Sequence, residues 1–361
     1  MTRDFTADRK RITALRLAAQ GIDRPTASGP TEVVRHLLAL QSQDYASGLW
    51  TIGLRTDGAT RDDVEVAQAA GSIVRSWPMR GTLHFVAAED LGWMLELTAE
   101  RIIRSAAGRH RQLELADADF ERAAAIARER LAGGIHLDRR ELLAAFEQGG
   151  LSTAGQRGVH VLGKLAQLRV IVLCSQSDWA LYDEWIPIPR RLERDEALRE
   201  FAARYFFAHG PATIRDFSWW SSLTLTDARR ALELARDQLD ELEADGITYY
   251  LRPSLEPAKA AVHLLPGFDE YLLGYSDRSA PLAGAAMDRI VPGGNGVFLP
   301  TIVVNGEVVG SWRRATTGRK TGAKTVLTPQ PFHELTATAQ AGIEKAARRY
   351  GRFLGSTVDL G

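Results

Sequence analysis

Thr213-Ile214-Arg215-Asp216-Phe217-Ser218-Trp219-Trp220, then Ser221-Ser222-Leu223, then Thr224-Leu225-Thr226-Asp227-Ala228-Arg229-Arg230, is the stretch that decides the fold. Thr213 opens a short helix to Trp220 and Thr224 opens a longer amphipathic one to Leu239, with a tight polar turn between them. Working outward, Asp195 to His209 reads as a preceding helix, and Gly210-Pro211 breaks it. After the third helix, Leu242 and its neighbours pair with Ile247–Leu251 across Asp245-Gly246, a dipeptide suited to a two-residue hairpin turn. Helix, helix, helix and hairpin in that order predict a winged helix-turn-helix unit.

The same order occurs twice upstream. Residues 8–20, Glu32 to about Gln41 (capped by Thr31), a short helix capped by Asp44, and Val64–Ala70 are predicted helices. A hairpin of Ile73–Trp77 and Thr82–Val86 follows, then a helix from Glu89 to about Ser105 that leads into a basic segment. Asp119–Leu131, Arg139–Gln148 (capped by Asp138) and a helix after Thr153 to Leu168 precede a second hairpin, Val170–Cys174 with Trp179–Tyr182. From Val262 the pattern turns to strands, with Val297–Pro300 and the alternating Thr301–Trp312 around the turn dipeptide Asn305-Gly306, and a helix of about Leu335–Tyr350 closes the chain. The expected fold class is α+β, with three tandem winged helix-turn-helix modules followed by a small β-rich, barrel-like C-terminal domain. The expected boundaries are 1–112, 113–190, 191–257 and 258–361.

Composition narrows the functions open to such a chain. With 45 basic and 45 acidic residues the net charge is +0, so any contact with nucleic acid must come from local basic patches. Lys supplies only 6 of the 45 basic residues; Arg suits forked phosphate contacts, although GC-rich coding produces the same bias. A single cysteine, Cys174, excludes a disulfide framework and a cysteine zinc site, and the eight histidines lack ligand spacing, so no metal and no cofactor are expected. No signal-peptide core or membrane-length apolar run is visible, which gives a cytoplasmic expectation, nucleoid-associated if bacterial.

Leu40-Gln41-Ser42-Gln43-Asp44 is the stretch with most chemical interest. Two residues apart on a continuous helix, Gln41 and Gln43 would point roughly 200° apart. They converge only if the helix ends there and the backbone becomes extended, a break that Asp44 as the next cap would suit. Two carboxamides do not titrate, but together they can hold a water by its hydrogens and lone pairs. That suffices where the leaving group is already good, as with an N7- or N3-alkylated purine, whose cationic ring weakens the glycosidic bond. The alternative is that both amides cap helix ends or pack between modules.

Leu40–Asp44, Val74-Arg75-Ser76-Trp77-Pro78-Met79-Arg80-Gly81-Thr82-Leu83-His84, and Leu265-Pro266-Gly267-Phe268-Asp269-Glu270-Tyr271 through Arg278 together resemble the tandem winged-helix (AlkZ/YcaQ-like) DNA glycosylase family, in order and from about residue 10 to beyond Arg313. The resemblance implies excision of alkylated bases and unhooking of interstrand crosslinks in duplex DNA. Gln in both places matches the Gln-x-Gln, AlkZ-like branch, in which the pair positions the hydrolytic water; Gln41 and Gln43 are then the catalytic candidates. Ser42 stands where the family is expected to have an apolar residue. The expected partner is duplex DNA carrying alkylated bases, with no membrane and no obligate protein partner, the chain acting as a monomer.

Around the pair, Asp44, His84 and Asp269 are possible site-lining residues. His84 reads first as a satisfied structural histidine, and Asp269, with Glu270 and Asp277, which also invite a paired-carboxylate glycosidase reading, reads first as a turn-capping carboxylate that pairs Arg278. The expected DNA contacts are Arg75 on one side of the first hairpin, Arg80 at its tip, Arg101, Arg104, Arg109 and Arg111 after it, Arg157 and Lys164 in the second unit, and Arg313, Arg314, Arg319 and Lys320 near the C-terminus. A non-catalytic winged-helix DNA-binding or regulatory protein is the competing reading, and a protein-interaction scaffold is a third.

Overall fold

The computed structural model of the chain describes residues 5–25, 27–282, 287–317 and 324–361. It begins with helices α1 (Phe5–Ala19) and α2 (Pro30–Leu37), strand β1 (Ala39–Gln41), helices α3 (Tyr45–Arg55) and α4 (Arg61–Ala69), strands β2 (Ile73–Met79) and β3 (Thr82–Ala87), and the long α5 (Ala88–Gln112). Sequence logic places most of these. Asp44 caps α3 by accepting the Ser47 N–H at 2.6 Å, and Thr60 with Asp63 closes a capping box on α4.

The second helix departs from expectation. It starts at Pro30 rather than behind a Thr31 cap, and the Thr31 hydroxyl meets Ser72 Oγ at 2.9 Å instead. It ends at Leu37, where Leu38 turns to φ 66°, and Ala39–Gln41 joins β3 as an antiparallel strand. The whole run Leu37–Leu40 is buried, so an apolar stretch there fits a helix and a strand alike, and pairing with β3 decides. The basic segment expected after the next helix is likewise helical, the last half of α5.

The second unit contains α6 (Asp117–Leu131), β4 (Leu137–Asp138), α7 (Arg139–Gln148), α8 (Arg157–Gln167), β5 (Ile171–Leu173), β6 (Asp178–Leu181) and α9 (Tyr182–Trp185). The third has α10 (Arg194–His209), α11 (Ile214–Ser221), α12 (Leu225–Ala235), β7 (Asp240–Ala244) and β8 (Ile247–Leu251), with Ser222 left-handed at φ 65° in the turn between α11 and α12. The first two hairpins merge into one sheet of order β1-β3-β2-β5-β6-β4, joined at the Arg75–Leu173 pair. The third hairpin forms a separate two-stranded sheet.

In the C-terminal region, β9 (Val262–Leu265), α13 (Glu270–Leu273), α14 (Met287–Ile290), β10 (Thr301–Val304), β11 (Glu307–Thr317), β12 (Lys324–Pro331), α15 (Ala337–Leu354) and β13 (Val358–Leu360) follow. Its sheet has the order β13-β12-β11-β10-β9. Asn305 and Gly306 make the β10–β11 turn with φ of 51° and 86°, which only such residues adopt cheaply. Val297–Pro300, expected as a strand, is outside any strand.

Apolar packing crosses the expected boundaries. One core unites α2–α4 with the C-terminal sheet and α15, through Trp50, Leu264, Trp312, Tyr350 and Phe353. Trp50 donates Nε1–H to the Leu264 carbonyl at 2.9 Å and lies 4.9 Å, centroid to centroid, from the Tyr350 ring. Emptying such a site costs about 3–5 kcal/mol. A second core packs α5 against α10–α12. A third belongs to α6–α8 and their hairpin, with Trp77 of β2 stacked on Trp179 at 5.9 Å.

Candidate active site

The Gln41-Ser42-Gln43 stretch is held extended against β3. Gln41 lies opposite His84, the Ser42 N–H donates to the Leu83 carbonyl at 2.8 Å, and the Leu83 N–H donates to Gln43 Oε1 at 3.2 Å. Strand alternation puts Gln41 on one side and Ser42 on the other. Gln41 is 9% exposed and Gln43 is exposed. Among the described residues, the Gln41 amide and the Gln43 Nε2 have no hydrogen-bond partner, so neither glutamine is used up as a helix cap.

Ser42 is buried and faces Arg75. The Arg75 guanidinium donates to Ser42 Oγ at 3.3 Å, to the Ser42 carbonyl at 2.8 Å and to the Gln176 carbonyl at 2.9 Å. Arg75 is 4% exposed and lies against the Tyr45 and Phe85 rings, so it braces the motif from behind and is not placed to meet phosphate as expected. Burial pulls its pKa down to about 10, which leaves it charged at neutral pH. Ser42 also faces α3 at Gly48, where a Cβ would stand 3.2 Å from the Ser42 Cβ and 2.8 Å from the Phe85 ring. The middle residue of the motif thus points away from Gln41.

His84 is buried and fully committed. Its Nδ1 lies 2.8 Å from the Thr82 carbonyl, which can only accept, so Nδ1 carries the proton and Nε2 accepts from Arg80 at 2.9 Å. Burial, then the Arg80 charge, pushes its pKa down to about 3, so it is a neutral imidazole with no lone pair left for a water. Arg80 itself has φ 54° and folds back: it donates to the Leu273 carbonyl at 2.8 Å, lies 3.7 Å from Glu270, and its side chain is 12% exposed. It is therefore not the protruding hairpin-tip cation expected for a minor groove. Behind it, Glu270 accepts Trp220 Nε1–H at 2.7 Å and faces His209 Nε2 at 3.3 Å. Burial alone would raise the Glu270 pKa, but the His209 hydrogen bond and the Arg80 charge outweigh it and hold it at about 2. This buried Arg80–His84–Glu270–His209 cluster escaped sequence reasoning, because His209 and Glu270 are 61 residues apart and no spacing signal links them.

Asp269 is spent on structure. Both its oxygens pair with Arg55 at 2.9 Å, and it accepts the Tyr271 N–H at 2.9 Å, so it pairs Arg55 rather than the expected Arg278 and lines no site. Asp44 is exposed and is held by its cap.

Two clefts flank Gln43 and Asp44. One, of about 630 Å³, is lined by Gln43, Trp77, Trp179, His110, His160 and Lys164 among others; the second, of about 370 Å³, by Asp44, Phe268, Phe298, Trp312, Arg313 and Arg314 among others. Arg101, Arg104, Arg109 and Arg111 are exposed on α5, and the 3.6-residue turn puts Arg101, Arg104 and Arg111 on one face. Arg104 pairs with Glu100, and Arg109 donates to Gln112 at 2.9 Å and Gln156 at 2.7 Å. Arg157 is bound to the carbonyls of Ser152 at 2.9 Å and Glu114 at 3.0 Å, and Lys164 to Asp117 at 3.0 Å over the Phe120 ring, so both are tied inward rather than free for phosphate. Arg313 is exposed, and Arg314, also exposed, donates to the Tyr350 hydroxyl at 2.7 Å. Arg319 and Lys320 lie outside the described residues.

Comparison with known proteins gives the family. A family model described as DNA glycosylase AlkZ-like matches residues 34–353. An interstrand DNA cross-link repair glycosylase of Streptomyces sahachiroi is 26% identical over 370 aligned positions, which cover 96% of each chain. The solved structure of Streptomyces sahachiroi DNA glycosylase AlkZ superposes with a TM-score of 0.78 at 25% identity, over 98% of this chain and 99% of that one. The extended Gln41-Ser42-Gln43 strand end thus lies within the matched span, and the chain belongs to the AlkZ-like DNA glycosylase family.

Proposed function

We propose that the chain is a monofunctional DNA glycosylase that hydrolyses the N-glycosidic bond of N-alkylated purines in duplex DNA, with a water held between the amides of Gln41 and Gln43. The observation that carries this reading is the extended motif, clamped to β3 through the Ser42 N–H and Gln43 Oε1, with the Gln41 amide and the Gln43 Nε2 engaged by no described residue. Among the described residues near the motif, His84 is closed by Thr82 and Arg80 and Asp269 by Arg55, while Asp44 spends one carboxylate oxygen on the Ser47 N–H. The chemistry balances without an acid. The C1′–N bond breaks, its electrons neutralise the cationic purine, the C1′–O bond forms, and the water's proton passes to solvent. Placement of the water and stabilisation of developing charge are what remain for the protein to supply.

Duplex DNA would lie across the three helix–hairpin units, read as winged helices, and the C-terminal β domain, read as barrel-like, with the arginine face of α5 and Arg313 on the phosphates. The cross-link repair activity in the Streptomyces sahachiroi relative's name extends the proposed substrates to crosslinked purines. The protein would act as a monomer in the cytoplasm, at the nucleoid. The test is release of 7-methylguanine from alkylated duplex: wild type releases it, and Gln41→Ala and Gln43→Ala each lower the rate at least a hundredfold with DNA binding intact. Wild type that binds DNA but releases no alkylated base overturns the enzyme reading and leaves a non-catalytic DNA-binding protein.

A further inference from the structure

We infer that Trp219 is a stacking platform for an unpaired nucleobase beside the lesion, with Arg278 and Arg80 as its cationic backing and Phe298 as its far wall. The inference rests on the glycosylase reading for its substrate and on α11 for its geometry. Two tryptophans stand side by side on that helix, about 100° apart around its axis. Trp220 is fully buried and donates to Glu270, whereas Trp219 keeps 40% of its surface exposed.

The surroundings of Trp219 are those of a nucleic-acid contact. The Arg278 guanidinium lies 4.9 Å from its ring centroid and 5.2 Å from that of Phe298, so one cation bridges two aromatic rings. The Arg80 guanidinium lies 5.2 Å from the Trp219 ring. Arg80 is balanced by Glu270 at 3.7 Å; Arg278 is half-buried, donates Nε–H to the Leu272 carbonyl at 2.9 Å and has no carboxylate within 4.0 Å among the described residues, with Asp216, Asp277 and Glu270 supporting its charge from farther off. Exposed aromatic surface flanked by two guanidinium groups suits a stacked base.

Position links this patch to the motif. Arg80 donates to His84, and His84 lies opposite Gln41 on the paired strand, so Trp219 is three contacts from the catalytic candidate. On its other side Phe298 lines the cleft that Asp44 also lines. Stacking on aromatic side chains tolerates any base, as an enzyme acting on lesions in varied sequence requires.

The experiment uses the full-length chain and a duplex with 5-iodouracil beside a tetrahydrofuran abasic analogue, compared with an intact duplex of the same sequence. After irradiation, the cross-link is expected on Trp219 by peptide sequencing, and Trp219→Ala is expected to weaken binding of the abasic duplex about tenfold. Trp219→Phe, which keeps a ring, restores most of that affinity, and thermal melting of each variant separates lost contact from lost fold. Cross-links that map elsewhere, or unchanged affinity in a folded Trp219→Ala, overturn the platform. 7-Methylguanine release is measured in parallel. A Trp219 cross-link without base release sinks the reaction and keeps the platform, whereas base release with no dependence on Trp219 does the reverse.

Discussion

Arg75 shows how a residue chosen for one task in the sequence has another in the structure. Its alternation with Trp77 marks it as facing one side of a hairpin, and that is correct; what spacing cannot carry is that the facing group is Ser42, 33 positions upstream. Replacing it by Met leaves the Ser42 and Gln176 carbonyls without their donor, at an expected cost of about 2–4 kcal/mol in urea unfolding. The rate of base release should fall with little change in DNA affinity, and Arg75→Lys, which keeps one donor, should recover part of it. The titratable residues make a second expectation. His84 and His263, at about 3 and about 4, are held below the ordinary histidine value of 6.5, so the unfolded chain takes up protons first as pH falls. Their contribution to stability is complete above pH 6.5 and is lost as pH falls below it, about 3 kcal/mol in sum by pH 5.5. Glutamines do not titrate, and Glu270 at about 2 stays ionised, so base release per folded molecule should be flat from pH 5.5 to 8 while the melting temperature falls at the acid end. A bell-shaped rate profile over that range would point to a titrating base in place of the amides.

Among the elements, most helices begin where Thr60, Asp138, Thr213 and Thr224 cap them. The exception is the three-residue strand that carries Gln41. Nothing local separates it from the helix before it, because every side chain from Leu37 to Leu40 is buried, and a strand that short exists only through its partner. The functional geometry of the candidate site is therefore a product of pairing. Gly48 on α3 is the neighbour that permits it. Gly48→Ala should force its new Cβ against Phe85 and Ser42, at about 1–3 kcal/mol in thermal or urea unfolding, and shift the strand end enough to lower the rate of base release. If Gly48→Ala melts and turns over like wild type, the contact is softer than its distances imply.

At the scale of the molecule, the sequence conveys the order of helices and hairpins but not how they share sheets and cores. The first two hairpins become one sheet through the Arg75–Leu173 pair, and the opening helices share their core with strands more than 200 residues away, as Trp50 and Leu264 do with a separation of 214. Such contacts leave no periodic trace. Arg55 and Asp269, both nearly inaccessible, tie α3 to α13 across the same gap. Asp269→Asn strands the Arg55 charge and is expected to cost about 3–5 kcal/mol, read as a lower denaturant midpoint with one transition still shared by the opening helices and the C-terminal sheet. Two separated transitions would show that the shared core does not couple them.

The back-to-back placement of Ser42 and Gly48 has a consequence for how this motif can change over time. Positions 42 and 48 draw on one volume, so enlarging one side chain requires the other to stay small. An apolar residue at 42 forfeits the 3.3 Å contact from Arg75 but keeps the 2.8 Å contact to its carbonyl, which any residue supplies. Chemical identity at the middle of the motif is thus less constrained than its size, and a change at 42 leaves the Arg75 contact to the backbone in place.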